Sequence, residues 1–120
     1  METVLQVLIA FIALLHLYFL YFEMFAWQTI GRKVFNGFDK EFFAQTKGLA
    51  ANQGLYNGFL AAGLIWTFFI EDVAWRYNVS LFFLCCVLVA GLYGAYSADK
   101  KIFFVQGLPA LIALLLLFLG

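Results

Sequence analysis

The sequence predicts an all-α, polytopic membrane protein: a four-helix transmembrane bundle with a short interfacial helix in its first loop, formed as one domain over residues 1–120. Three observations carry that prediction. Of the 120 residues 66% are hydrophobic and 12% charged, with a mean hydropathy of +0.96. A soluble domain is about 45–50% apolar and about 25% charged, so this chain lacks the polar surface to cover a water-exposed fold. Four apolar stretches, at 4–27, 49–70, 79–97 and 102–119, approach the roughly 20 residues that a helix needs to cross a bilayer. Period-two alternation is absent, and an open sheet in lipid would leave backbone groups unpaired.

The first stretch reads as a retained helix with Thr3 as its N-cap. Glu2 stands where a signal peptide carries basic residues, and no small-x-small cleavage site follows. After it, Phe35, Phe38 and Phe42 recur at helical spacing beside Lys40 and Glu41, which predicts a short helix lying in the interface with its phenylalanines down. Trp27, Trp75 and Tyr77 fit interfacial anchors. In the third stretch Cys85 and Cys86 are adjacent within an apolar run, a spacing that suits buried packing and neither a metal nor a cross-link. Pro109 falls inside the fourth stretch and predicts a local bend there.

Basic residues give the orientation. Arg32, Lys33, Lys40, Lys47, Lys100 and Lys101 lie in the first and third loops, and Arg76 alone lies on the opposite side. The positive-inside bias then puts those loops in the cytoplasm and both termini outside. Seven basic residues balance seven acidic ones without a basic block, so nucleic acid is not expected as a partner; membrane lipids are.

Polar side chains within a span are costly at the bilayer centre and mark function or assembly. His16 and Glu23 are seven residues apart, nearly on one helix face, and Glu23 is the only carboxylate well inside a span. In the second span Asn52, Gln53, Tyr56 and Asn57 fill one arc, while Gly54, Gly58 and Ala62 recur at four-residue spacing on another. With antiparallel helices, Glu23, Asn52, Gln53, Asn57, Tyr93, Tyr96 and Gln106 share the cytoplasmic half, with His16 near the middle. This predicts a polar layer open to the cytoplasm and closed to the outside. Gly54, Gly58 and Ala62, with Cys86, Ala90 and Gly94, form small-residue rows for close helix packing, within the chain or in a homo-oligomer.

The leading functional expectation is a protein that binds or transports a small amphipathic or cationic molecule. Glu23 would be its charge-sensing group, with His16, two turns away on the same face, as a further ligand-binding candidate. Asn52, Gln53, Asn57 and Gln106 would orient the ligand, and Tyr56, Tyr93 and Tyr96 would form aromatic walls. Two alternatives stand beside it: an intramembrane enzyme on a lipophilic substrate, and a structural or assembly protein. Two helical turns, roughly 10 Å, separate Glu23 from His16, which is too far for direct proton exchange. Neither an activated nucleophile nor a metal cluster is evident, and no cofactor is expected.

His16, Glu23-Met24-Phe25 and Trp27, followed by the run from Asn52-Gln53-Gly54 to Leu64, resemble the small bacterial four-span membrane proteins of domain of unknown function family 1304. The resemblance covers the whole chain. It implies a four-helix topology in the bacterial cytoplasmic membrane and places His16, Glu23, Asn52, Gln53, Tyr56 and Asn57 at motif positions without assigning them a role. The small multidrug resistance exporters are similar in length, span count and a single glutamate in the first span, but lack the long first loop. The membrane-associated eicosanoid and glutathione metabolism proteins are similar in their four spans, outward termini and long first loop. Here the second span offers amides and no arginine, so no group would pair the carboxylates of glutathione.

Overall fold

The computed structural model describes residues 2–120. Among them every regular element is helical: α1 (Glu2–Phe25), α2 (Ile30–Val34), α3 (Lys40–Gln45), α4 (Lys47–Trp66) with a 3-10 turn at Thr67–Phe69, α5 (Val73–Ser97), a π-helical segment (Phe103–Gly107) and α6 (Leu108–Leu119). Among the described residues two helices, α1 and α5, are long and apolar enough to cross a membrane. The stretch Phe103–Leu119 is apolar but shorter. Helix α4 has 20 residues, and Asn52, Gln53 and Asn57 lower its apolar content.

Local chemistry moves the element ends away from the hydropathy boundaries. The expected cap Thr3 lies inside α1, one residue after its start. Helix α5 begins six residues before the expected 79, because Asp72 accepts the backbone N–H of Trp75 at 2.9 Å and caps it there. The bend expected at Pro109 is a π turn on its N-terminal side. Proline has no N–H to donate, its ring crowds the preceding turn, and the Leu108 N–H reaches back to the Phe103 carbonyl across the widened turn.

The chain divides into two compact units, residues 1–13 with 60–120 and residues 14–59. The first has a continuous apolar core in which Ile9, Ile12, Leu64, Leu84, Val87 and Leu114 are almost or entirely buried. Glycines set its closest approaches. A Cβ on Gly91 of α5 would lie 2.5 Å from the backbone N and Cα of Gly107, and one on Gly63 would overlap the Phe83 ring. Gly94, expected to pack, does so against Ile102 of the same chain. Cys86 and Ala90 are only half-buried and Cys85 is exposed. The inward stripe of α5 runs instead through Ser80, Leu84, Val87 and Gly91.

The second unit is organised by aromatic rings. Trp27, expected as an outward anchor, is half-buried, with ring centroids 5.2 Å from Phe43 and 5.8 Å from Phe35. Its indole N–H donates to the Thr46 hydroxyl at 2.9 Å, and its ring covers Gly31, where a Cβ would sit 2.6 Å from it. The single interfacial helix expected through Phe35, Phe38 and Phe42 is replaced by α2 and α3 with a turn between them. Gly37 lies in the turn, and Asp39 accepts the Phe42 N–H at 2.9 Å to start a new helix. Phe38 and Phe42 stack at 4.1 Å, and Phe43 beside them is fully buried.

Thr46→Val nearly keeps the side-chain shape and leaves the rings in place, and it removes the hydroxyl that accepts the indole N–H and donates to the Phe42 carbonyl. It is expected to lower stability by about 1 kcal/mol, measured by thermal unfolding in detergent. An unchanged midpoint would show that the Thr46 hydroxyl contributes nothing.

Candidate functional site

On α1 the inward face of the second unit carries His16 and Glu23. His16 is fully buried, with its ring centroid 5.1 Å from that of Phe19. Every buried side-chain nitrogen or oxygen among the described residues has a hydrogen-bond partner, so the imidazole is satisfied. Seven residues further on, the half-buried Glu23 accepts a hydrogen bond from the Asn57 amide of α4, Nδ2 to Oε1 at 2.6 Å. Asn57 is 6% exposed. Two glycines let the helices come that close. A Cβ on Gly54 would lie 2.7 Å from Met24 Cγ and 3.0 Å from Glu23 Cβ, and one on Gly58 would lie 2.6 Å from a Leu20 methyl. The small-residue row of α4 therefore faces its own chain here, and its first two members hold Asn57 against Glu23.

The remaining predicted site residues lie elsewhere. Asn52, Gln53 and Tyr56 are exposed, as is Ala62. At ~100° per residue the buried stripe of α4 passes through Ala50, Gly54, Asn57 and Ala61, placing Asn52 and Tyr56 on the opposite side. A row at four-residue spacing drifts by about 40° per step, which carries Ala62 off the packed face. The arc read as one polar surface thus splits, with Asn57 on the glycine side.

In the first unit Gln106 is 9% exposed, turned inward on the π segment beside Gly107. Tyr93 and Tyr96 are exposed, their rings 6.4 Å apart. No group of three or more metal-ligating side chains occurs among the described residues.

A second feature was not anticipated. At the other end of the first unit, where α1 begins, α5 begins and α6 ends, lies a cavity of about 400 Å³. Its surface is mostly apolar, with Leu5, Ile9, Phe68 and Leu117 among its walls, and its polar groups include Glu2, Gln6, Thr67, Arg76 and Ser80. Arg76 donates through Nε to the Ile70 carbonyl at 3.1 Å and pairs with Glu2 at 3.0 Å. None of the residues expected from the sequence to bind a ligand lines this cavity. Arg76 was the available signal: it is the lone basic residue between the second and third apolar stretches.

Comparison with known proteins follows the sequence rather than a fold. A family model described as protein of unknown function (DUF1304) matches residues 10–118. The uncharacterized protein YpaA of Lactococcus lactis subsp. lactis (strain IL1403) is 34% identical over 116 residues, covering 94% of this chain and 96% of that protein. No solved structure matches the chain.

Proposed function

Given that the chain belongs to the DUF1304 family, whose description carries no activity, we propose from its own residues that it is an integral membrane protein binding a small amphipathic or cationic molecule at Glu23. The protein crosses the bacterial cytoplasmic membrane four times, with both termini outside and the Glu23 side toward the cytoplasm. The six basic residues of the first and third loops, against Arg76 alone opposite, support this orientation. Helix α4 and the stretch Phe103–Leu119 complete the four spans, the latter with the π turn at its cytoplasmic end.

One observation carries the binding reading. Glu23 has a neutral amide, Asn57, as its hydrogen-bond partner, and among the described residues no cationic side chain pairs with it. A carboxylate within a span is costly unless its charge is compensated, so a cationic ligand supplies what the chain does not. Asn52, Gln53 and Tyr56 in the second unit and Tyr93 and Tyr96 in the first are exposed, and such side chains need hydrogen-bond partners in lipid, which favours a homo-oligomer.

The test uses the lipophilic cation tetraphenylphosphonium and the detergent-solubilised protein. Wild type should bind it. Glu23→Gln keeps the shape and the acceptor for Asn57 but carries no charge, and should weaken binding about tenfold or more while the thermal midpoint stays near wild type. Equal binding by Glu23→Gln would end the proposal for this residue.

A further inference from the structure

We infer that the cavity at the Arg76 end of the first unit is a second binding site, one that takes an anionic amphiphile: a single carboxylate or phosphate on the Arg76 guanidinium and one aliphatic chain between α1 and α6. This does not depend on the role of Glu23, which lies in the other unit.

The cavity has the size of a small-molecule pocket, about 400 Å³, and the mixed lining that fits an amphiphile. Leu5, Ile9, Leu116 and Leu117 line the apolar part, and a chain lying there removes aliphatic surface from water. Arg76 supplies the polar anchor. Its Nε is held by the Ile70 carbonyl, which fixes the plane of the guanidinium. A guanidinium has five N–H donors, and a carboxylate or phosphate engages two of them side by side.

Glu2 already occupies part of this anchor, and its carboxylate identifies the kind of group that Arg76 accepts. Its bond is a single one, from Nη1 to Oε1, and its side chain is 69% exposed against 32% for Arg76. An exposed ion pair is weak, so a ligand anion that brings a buried hydrocarbon chain displaces it. Glu2 acts as a tethered competitor.

Ser80 gives a separate pointer. It lines the cavity, is 3% exposed, and follows Arg76 by four residues on the same face of α5. Its hydroxyl adds a donor and an acceptor to the polar side of the cavity. Trp75 and Tyr77 flank Arg76 in sequence, both exposed, and aromatic rings of this kind sit at the headgroup level of a bilayer. The anchor would then lie at headgroup depth and the aliphatic walls below it.

The test is calorimetric titration of the full chain in a neutral maltoside detergent, with three probes of one chain length: dodecanoate, dodecanoyl lysophosphatidylglycerol and dodecanol. At least one anionic probe should bind about tenfold or more tightly than dodecanol, since only it can form the charge-assisted pair. Preference for dodecanoate identifies a free fatty acid as the source, and preference for the lysolipid identifies a membrane lipid. Arg76→Gln should reduce the anion to the level of dodecanol. Glu2→Gln removes the competitor and should tighten binding severalfold, and it decides the matter even if Arg76→Gln does not fold. Dodecanol binding as tightly as both anions, or Glu2→Gln leaving anion affinity unchanged or lower, would overturn the proposal.

Discussion

Leucine in place of Gly91 is expected to cost about 3 kcal/mol or more and to abolish a cooperative thermal transition of the first unit in detergent. The reason is that the group opposite Gly91 is backbone. A Cβ there would stand 2.5 Å from the N and Cα of Gly107, and backbone cannot rotate away as a side chain can. The whole side chain fits only if α5 and the π segment separate, which opens the core around Val87 and Ala110. Gly48→Leu is the matched control, since nothing lies within 4 Å of a Cβ at that position. Its midpoint should move by no more than about 0.5 kcal/mol equivalent. Equal behaviour of the two variants would show that α5 and the π segment do not approach closely in solution.

The second large effect is expected at Asn57. Leucine there removes the hydrogen-bond donor to Glu23 and leaves a half-buried carboxylate beside an apolar side chain. Stranding a buried charged acceptor costs more than the bond itself, about 2–3 kcal/mol or more. Replacing the carboxylate as well, in the Asn57→Leu, Glu23→Leu double variant, should recover much of that loss. Unfolding measured through the full cycle should give a coupling energy above about 1 kcal/mol. Additive losses, with no recovery in the double variant, would mean that the two residues contribute independently.

These two sites differ in how far the sequence reveals them. Glu23 and Asn57 stand out because a carboxylate and an amide within apolar stretches are rare enough to be noticed individually. Their contact becomes plausible from depth alone, since both fall in one half of the span. Gly91 and Gly107 do not stand out in the same way. Each is one of ten glycines, and no spacing rule distinguishes a glycine that meets a backbone from Gly37 or Gly48, which meet nothing. The cavity was less legible still, because its polar groups come from three separated parts of the chain and only Arg76 is conspicuous.

What the sequence by itself determined is the helical class, the apolar character of α1 and α5, the concentration of basic residues in two loops, and the family. These follow from composition, run length and motif identity, which are properties of the chain read in order. What only the tertiary structure decided is helix phase and helix termination. A stripe centred on Gly54 and Asn57 rather than on Asn52 and Tyr56 depends on which face the neighbouring helix offers, here Leu20, Glu23 and Met24. The split of the first loop into α2 and α3 depends on Asp39 capping a new helix while Trp27 gathers Phe35 and Phe43 around it. Periodicity fixes the angle between residues on one helix and leaves its absolute rotation free, so the packing partner has to supply it.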